Sequence, residues 1–149
     1  MVGSSISDVP DEGSLEIGAI YRRRDLHRRF GGNQQAGIVP CRAENVVLLF
    51  HTREPSQQFY SDGLDDDGIY WYSGEGTLGD MTWTSANRSV RDHAASGCEL
   101  LLFERIQRRE GLWQYAKKMR YVAHKTETRK DRRGTLRKAI LFALLPAKK

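Results

Sequence analysis

The segment GIYWYSGEGTLGDM, residues 68–81, combines a short aromatic run with closely spaced glycines. Side chains alternate along a strand, so Tyr70 and Tyr72 would share one face and Trp71 would take the other. Glycines follow directly, beginning at Gly74, and glycine is favoured where the backbone turns or where another group comes close to it. The segment therefore predicts a strand that brings tyrosines up to a loop with an accessible backbone.

Strand patterns lie on both sides of this segment. Apolar runs bounded by polar residues are typical of buried strands, and they occur at NVVLLF, CELLLFERIQ and KAILFALLP. GLWQYAKKMRYVAHKTET is typical of one or two further strands, and a basic turn at Gly134 follows it. A short strand is also predicted over residues 17–21.

Two helices are predicted beside these strands. The first follows the short strand and has Leu26 and Phe30 four residues apart on one face. Thr84 or Ser85 can cap the second, and Gly97 lies where that helix would end. Six or seven strands with two helices predict an α+β fold, built as a strongly curved sheet or an open β-barrel.

The composition is that of one domain with its own core: of 149 residues, 39% are hydrophobic and 29% are charged. Residues 1–14 are rich in Ser, Gly and Asp, which predicts a disordered lead and leaves residues 15–147 as the folded domain. No apolar run is long enough to suggest a membrane span. Cys41 and Cys98 lack metal-binding spacing, which is typical of reduced thiols in the cytoplasm.

The net charge of +5 is unevenly distributed along the chain. Acidic residues dominate residues 1–16, arginines dominate residues 22–29, and Lys and Arg exceed Asp and Glu from Arg105 onward. Clustered basic residues indicate a surface that binds nucleic acid. The alternative is an interaction domain in which the basic residues only maintain solubility.

Patterns for catalysis or metal binding are weak. The loop DGLDDDG carries Asp62 and Asp65–Asp67, which could bind Mg²⁺ or Ca²⁺, but it lacks the glutamate that completes an EF-hand loop. The histidines show no paired spacing with each other or with cysteine, and GEGTLG lacks the GK[ST] of a phosphate-binding P-loop. We therefore expect no cofactor and no resident metal ion, and we expect binding rather than catalysis.

The order of motifs resembles that of the SRA (SET and RING-associated, or YDG) domain family, which reads modified cytosine. Similar motifs cover roughly residues 17–146 in the family's order: IGAIYRRRDL, QAGI, FYSDGLDDDG, WYSGEG, TSANRSV, GCELLLFER, and the pair YVAHKTE and RKAILFALLP. The resemblance implies an SRA/PUA-like version of the curved sheet or open barrel.

The chain departs from the family pattern at two places. HTREPSQQ interrupts the usual link between the central strand and the tyrosine-acidic run. Thr77–Met81 is much shorter than the finger with which eukaryotic members inspect the partner strand. The compact form is similar to bacterial members in modification-dependent restriction endonucleases. The resemblance thus implies a DNA-binding module, not an enzyme, with an HNH-type nuclease elsewhere in the parent chain.

Members of the family turn a modified base out of the duplex into a pocket. The resemblance therefore implies a reader of double-stranded DNA that carries 5-methylcytosine or 5-hydroxymethylcytosine. Tyr72 and Tyr60 would stack on the extruded cytosine, and Asp62, or alternatively Asp65, would accept a hydrogen bond from its N4 amine. The full set implied for the base pocket is Tyr60, Asp62, Tyr72, Ser73, Ile38 and Asp65.

The resemblance also implies which residues contact the rest of the duplex. Gln34 and Gln35 lie where the family inserts a side chain into the vacated base stack. The glycine-rich segment after Tyr72 and the nearby arginines would hold the phosphate backbone. This second set is Arg22, Arg24, Gly74, Gly76, Arg88, Arg132 and Arg133.

Two other functions stay open on the sequence. The chain could be a small nuclease that uses Asp65–Asp67 with a metal ion, or a related barrel that binds RNA or an unmodified nucleotide. Mg²⁺-dependent cleavage would favour the first alternative. A preference for single-stranded RNA over methylated duplex would favour the second.

Overall fold

The structure of the chain is a computed structural model, and it describes residues 5–51, 63–106 and 108–147. The helices are α1 (Arg23–Phe30) and α2 (Ser85–Arg91), with a short 3-10 turn at Arg42–Glu44. No helix in these ranges is both long enough and apolar enough to cross a membrane. The strands are β1 (Ile6–Ser7), β2 (Ile20–Arg22), β3 (Ile38–Cys41), β4 (Val46–His51), β5 (Gly63–Leu64), β6 (Tyr70–Ser73), β7 (Glu99–Arg105), β8 (Leu112–Lys130) and β9 (Leu136–Pro146).

All of these strands belong to one sheet. Its main path runs β3-β4-β7-β8-β9-β6-β5, and β1 and β2 extend it beside the first part of β8. In the part of the chain that is described, β3 and β5 end the path without pairing with each other, so the sheet stays open. The structure is mostly strand with two α-helices, which confirms the predicted α+β fold with an open, curved sheet.

The sheet buries apolar side chains on both of its faces, as the unbroken apolar run of β4 predicts. Alternate residues of β4 enter two different clusters because neighbouring side chains point to opposite faces. The first cluster joins α1 to β4 through Leu26, Phe30, Val46, Leu48 and Phe50. The second joins α2 and β6 to β4 through Val47, Leu49, Tyr70, Tyr72 and Val90.

β8 has 19 residues and serves two parts of the sheet. Its first part pairs with β7 and its second part pairs with β9, and each pairing skips one residue of β8. Ala116 is skipped opposite the step from Leu102 to Phe103, and Val122 is skipped between the partners of β9. Bulges of this kind bend a strand and increase its twist, so we attribute much of the sheet's curvature to β8.

The second helix ends earlier than predicted. α2 ends at Arg91, and Gly97 adopts a φ of +73° in the turn that follows. The Cys98 N–H donates to the His93 carbonyl at 2.8 Å, which closes this turn without continuing the helix. The glycine therefore ends a turn rather than the helix itself.

The amino-terminal segment differs from the predicted disordered lead over the part that the structure describes. Ile6–Ser7 pair in parallel with β2, and the Arg29 guanidinium donates to the carbonyls of Pro10 (3.0 Å) and Gly13 (2.7 Å). Composition alone misses this order, because it arises from backbone pairing and from an arginine that comes later in the chain. The boundary of the domain at residue 15 stays a prediction.

Candidate nucleic-acid interface

Tyr72 is the point at which three chain segments meet. Its side chain is 3% exposed, and its hydroxyl lies 3.0 Å from the Gly37 carbonyl and 2.9 Å from the Phe50 carbonyl. The Phe50 N–H donates to the same Gly37 carbonyl at 2.8 Å. Burial raises the pKa of Tyr72, so the hydroxyl stays protonated and acts as a donor. Because Ser73 follows directly, Tyr72 links the loop at Gly37, the end of β4 and the loop after β6.

The first of these segments, residues 33–37, is called the glutamine loop here because it exposes two glutamines. The Asn33 side-chain oxygen accepts the N–H groups of Gln35 (2.6 Å) and Ala36 (3.1 Å), a turn typical of asparagine. The side chains of Gln34 and Gln35 are exposed. The loop therefore combines a fixed backbone with two amide side chains that face solvent.

Arg23 binds the glutamine loop from the start of α1. Its Nη2 donates to the carbonyls of Asn33 (3.2 Å) and Ala36, and its Nε donates to His27 Nε2 at 3.0 Å. The guanidinium carbon lies 3.8 Å from the ring centre of Phe50. Burial lowers the pKa of Arg23 to about 10, so the group is still charged at neutral pH. Sequence reasoning missed this residue because it lies within an unbroken run of arginines.

The third segment, residues 73–76, is called the glycine loop, and Gly74 is its most closely packed position. The Gly74 N–H donates to the Ile140 carbonyl at 2.7 Å. A Cβ added at Gly74 would lie 3.1 Å from Asn87 Oδ1 and 3.2 Å from the Ile140 carbonyl oxygen. Both distances are tighter than ordinary van der Waals contact, so this site fits glycine best. Ser73, one of the predicted pocket residues, is half-buried beside it.

The buried side chain of Asn87 holds the glycine loop against α2. Asn87 is 0% exposed. Its Oδ1 accepts the Glu75 N–H at 2.7 Å, and its Nδ2 donates to the carbonyls of Glu75 (3.1 Å) and Thr82 (2.7 Å). Its own N–H donates to the Thr84 hydroxyl oxygen at 3.2 Å, which confirms the predicted start of the helix. Sequence reasoning noted this asparagine only within the motif TSANRSV, because a linear pattern does not show that an amide is buried.

The chain that follows the glycine loop lies on the turn between β8 and β9. Arg137 Nη1 donates to the Gly76 carbonyl at 3.1 Å, and the Arg132 N–H donates to the Thr77 carbonyl at 2.8 Å. The side chains of Arg132 and Arg133 are exposed at this turn. The structure therefore brings Gly76 together with two of the arginines predicted to hold phosphates.

Asp65 is bound on the opposite face of β6 from Tyr72. Its Oδ2 accepts the Trp71 indole N–H at 2.8 Å, and its Oδ1 accepts the N–H groups of Asp67 and Ile69, each at 2.9 Å. These hydrogen bonds, led by the one from Trp71, lower the pKa of Asp65. Because both carboxylate oxygens are engaged on the Trp71 face, the structure does not bring Asp65 beside Tyr72.

The remaining predicted pocket residues are either buried or outside the described residues. Ile38 is 4% exposed and packs in the same cluster as Tyr72. Tyr60 and Asp62 lie outside the described residues. Because Ile38 and Tyr72 are almost fully covered, a base could contact them only after part of the surrounding chain moves aside.

A cavity of about 420 Å³ lies at the start of α1 and brings several predicted residues together. Arg22, Arg23 and Arg24 line it together with Gln34 of the glutamine loop. The guanidinium groups of Arg22 and Arg24 each lie 3.8 Å from the Asp25 carboxylate. Such exposed ion pairs are weak, so both arginines can exchange this partner for a phosphate.

Arg88 is the remaining residue predicted to contact the DNA backbone. Its guanidinium donates to the Trp83 carbonyl at 2.6 Å and so closes the segment that leads into α2. The residue is exposed. Arg88 therefore has a structural contact in addition to any contact with a ligand.

Tyr70 shares the inner face of β6 with Tyr72 and takes part in a polar contact. Its hydroxyl donates to the Glu104 carboxylate at 3.2 Å and also contacts His51 Nδ1. A second cavity, of about 330 Å³, lies beside these three residues. Over residues 5–51, 63–106 and 108–147, no three His, Cys, Asp or Glu side chains lie close enough together to hold a metal ion.

Comparison with known sequences identifies a family. A sequence model of the family described as "ScoMcrA-like, SRA domain" matches residues 17–149. A search of curated proteins gave no match. The family match confirms the resemblance that the order of motifs predicted.

Comparison with solved structures shows the same fold. The sulfur-binding and SRA domains of ScoMcrA complexed with phosphorothioated DNA match at a TM-score of 0.72 and 24% identity, over 91% of this chain and 41% of that one. The type IV phosphorothioation-dependent restriction endonuclease ScoMcrA matches at 0.73 and 23%, over 91% of this chain and 29% of that one. The SUVH5 SRA domain in complex with hemimethylated CG DNA matches at 0.67 and 18%, over 97% and 95%. The chain thus spans less than half of the two ScoMcrA structures.

Proposed function

The chain belongs to the ScoMcrA-like SRA domain family, and we propose that it binds duplex DNA carrying 5-methylcytosine or 5-hydroxymethylcytosine by turning the modified base out of the helix. The observation that supports this proposal most directly is the meeting of three chain segments at Tyr72. One segment exposes amide side chains, one is the end of β4, and one is the glycine loop, which packs against α2 and β9. A base-flipping protein needs these elements side by side: a group that enters the duplex and a wall that receives the base.

The energetics of flipping favour an aromatic pocket. Extruding a base costs a few kcal/mol, and each stack of a base on an aromatic ring contributes about 1–3 kcal/mol. In the proposal Tyr72 provides one such surface, and Tyr60 provides the other. The Tyr72 ring is 3% exposed, so the base reaches it only as the neighbouring chain moves, and part of the binding energy is used for that movement.

The glutamine loop is the element proposed to enter the space that the base leaves. An amide offers both a donor and an acceptor, which match the base edge of the orphaned guanine. The backbone of this loop is fixed by Asn33 and Arg23. A loop that is ordered before binding loses less conformational entropy when it binds.

The proposed phosphate contacts are Arg22 and Arg24 beside the glutamine loop and Arg132 and Arg133 at the β8–β9 turn. Contacts of this kind carry little sequence information but provide much of the affinity, and they weaken as salt concentration rises. Support comes from the exposure of these arginines and from the net charge of +5.

The proposed biological role is recognition within a modification-dependent restriction endonuclease, in the bacterial cytoplasm, with cleavage by a separate nuclease domain of the parent chain. The support is similarity to ScoMcrA, which is described as a type IV restriction endonuclease. The proposal assigns no catalytic step to this chain, and Asp65 engages both carboxylate oxygens in hydrogen bonds. Mg²⁺-dependent cleavage of DNA by this chain alone would contradict this part.

The test is a gel-shift titration with duplexes that differ only in one cytosine: unmodified, 5-methylated or 5-hydroxymethylated. A fourth duplex carries an unmodified cytosine and a phosphorothioate linkage. We expect tighter binding of the modified-cytosine duplexes at every salt concentration, and burial of one methyl alone gives roughly a fourfold preference. Equal affinities for the first three duplexes would refute the proposal, and a preference for the phosphorothioate duplex would redirect it to the backbone modification.

A further inference from the structure

The middle arginine of the run Arg22–Arg24 differs from its neighbours. The side chains of Arg22 and Arg24 are 39% and 71% exposed. The Arg23 guanidinium instead lies over the ring of Phe50 at 3.8 Å and near Trp113 at 5.8 Å. Stacking on an aromatic face fixes the plane of a guanidinium. Arg23 is therefore stacked on the aromatic core at the edge of the cavity, between two neighbours that have no such contact with a ring among the described residues.

The hydrogen bonds of Arg23 reach both ends of the exposed glutamine pair. Its Nη2 donates to the carbonyls of Asn33 (3.2 Å) and Ala36, which flank Gln34 and Gln35. One guanidinium nitrogen thus bridges the two carbonyls where the chain enters and leaves the exposed pair. The bridge sets the spacing of these two points and hence the direction in which the glutamines project.

A neutral histidine holds the other side of the guanidinium. Arg23 Nε donates to His27 Nε2 at 3.0 Å, and His27 Nδ1 lies 2.7 Å from the Gly31 carbonyl. A carbonyl only accepts, so the proton of His27 is on Nδ1 and Nε2 is free to accept from Arg23. Nε and Nη2 of the guanidinium therefore each have defined partners, and lysine, with a single ammonium group, could not match this arrangement.

We propose that Arg23 is the positioning residue of the DNA site: it bridges the carbonyls of Asn33 and Ala36 so that Gln34 and Gln35 are held ready to enter the duplex. The proposal rests on the proposed function for its DNA-binding part. In this proposal Arg23 acts through its partners within the protein and is not one of the phosphate contacts. Its effect on binding passes entirely through the shape of the glutamine loop.

The experiment compares wild type with Arg23→Met, which keeps a chain of similar length but cannot bridge carbonyls. Arg42→Met is the matched control, because Arg42 is exposed and lies outside both loops; it removes the same charge. Two readouts are taken for each protein. Hydrogen exchange of the amides in residues 33–37 reports the order of the loop without DNA. Fluorescence of a 2-aminopurine placed next to the modified cytosine reports unstacking in the duplex.

In Arg23→Met we expect the amides of residues 33–37 to exchange about tenfold faster than in wild type. The variant should bind the modified duplex about tenfold more weakly and give a smaller 2-aminopurine signal. Binding of the unmodified duplex should change no more than in Arg42→Met, because both variants lose one charge. A purely structural role would weaken both duplexes equally. Arg23→Lys should recover the charge but not the loop order.

A second variant tests the proposal independently, in case Arg23→Met does not fold. Asn33→Ala removes the turn that fixes the same loop from its exposed side, so it leaves the core intact. It should produce the same two effects in the same direction. If both variants retain wild-type exchange in residues 33–37, the positioning role is refuted.

The outcomes separate this inference from the proposed function. If wild type does not distinguish modified from unmodified duplex, the proposed function fails, and the DNA-binding part of the inference fails with it. If wild type does distinguish them and Arg23→Met keeps both the preference and the 2-aminopurine signal, only the positioning role of Arg23 is refuted.

Discussion

The glutamine loop and the glycine loop meet at Tyr72 but are held by opposite kinds of chemistry. The glutamine loop is bound by the charged guanidinium of Arg23, which only donates and therefore holds backbone carbonyls. The backbone N–H groups of this loop need an acceptor, which is the side-chain oxygen of Asn33. The glycine loop is bound by the neutral, fully buried amide of Asn87, which both accepts from and donates to the backbone. One loop is fixed so that its side chains are free, and the other is fixed by packing its own backbone against the domain.

This difference predicts which substitutions each loop should tolerate. The exposed positions of the glutamine loop have space for other side chains, so changes there should affect recognition rather than folding. The glycine loop packs its backbone against Asn87 and Ile140, so changes there should affect folding first. The following predictions test this contrast, beginning with the largest expected effect.

Asn87→Ala should destabilise the domain most. It leaves the Glu75 N–H and the carbonyls of Glu75 and Thr82 without their buried partner. We expect a loss of roughly 2–4 kcal/mol in the free energy of unfolding, measured by urea denaturation. Ser89→Ala on the same helix is the control and should cost less than about 1 kcal/mol. Equal losses in both variants would show that Asn87 does not hold the glycine loop.

Gly74→Ala should have the next largest effect. The added methyl would lie 3.1 Å from Asn87 Oδ1 and 3.2 Å from the Ile140 carbonyl, and overpacking of this kind costs about 1–3 kcal/mol. Ser73→Ala, at the neighbouring position, should be nearly neutral in the same unfolding experiment. A Gly74→Ala variant as stable as wild type would mean that the loop can move away, and the contrast between the loops would be lost.

Tyr72→Phe should separate the two loops at their meeting point at a smaller cost. It removes the donor to the carbonyls of Gly37 and Phe50 but keeps the ring proposed to stack on the base. We expect a loss of about 1 kcal/mol in stability, with the preference for modified duplex retained in a gel shift. Tyr121→Phe, which removes a hydroxyl bonded to His124, is the control. Loss of the preference in Tyr72→Phe would assign recognition to the hydroxyl.

The smallest expected effect is a pH dependence of stability that arises at His27, the histidine that binds Arg23 beside the glutamine loop. Burial, followed by the charge of Arg23, lowers the pKa of His27 in the folded protein. As pH falls through about 6.5, the ordinary pKa of histidine, His27 takes up a proton in the unfolded chain but stays neutral in the folded one. The free energy of unfolding therefore decreases. Urea midpoints measured on either side of that pH should show this decrease, and His27→Gln should reduce it. An unchanged pH dependence in His27→Gln would rule out this histidine as its source.

The fold could be predicted from sequence because its strands are strongly patterned. The unbroken apolar run of β4 predicts burial on both faces of the sheet. The alternation in β6 correctly places Tyr70 and Tyr72 on one face and Trp71 on the other. Alternation also separates Asp65 from Tyr72, since this carboxylate binds the Trp71 side of the strand.

The supports of the site could not be predicted in the same way. Arg23 is one of three adjacent arginines, and only packing against Phe50 distinguishes it. Asn87 stands in a helix motif, and its partners are backbone groups of Glu75 and Thr82, whose residue types do not indicate the contact. Hydrogen bonds to backbone leave no trace in residue type at the partner position, so a single sequence cannot reveal them.

The two skipped residues of β8, Ala116 and Val122, change which side chains of this strand face each core cluster. Before Ala116, odd-numbered residues such as Tyr115 face the first core cluster, and after it odd-numbered Met119 faces the second. Val122 reverses the order again, so that even-numbered His124 lies against Trp83 on the inner side. Deleting either skipped residue alone would remove a bulge and its bend, but the side chains beyond it would keep their partners and their faces. A single deletion in this strand should therefore be tolerated best at Ala116 or Val122, where it changes the curvature of the sheet and not the facing of its side chains.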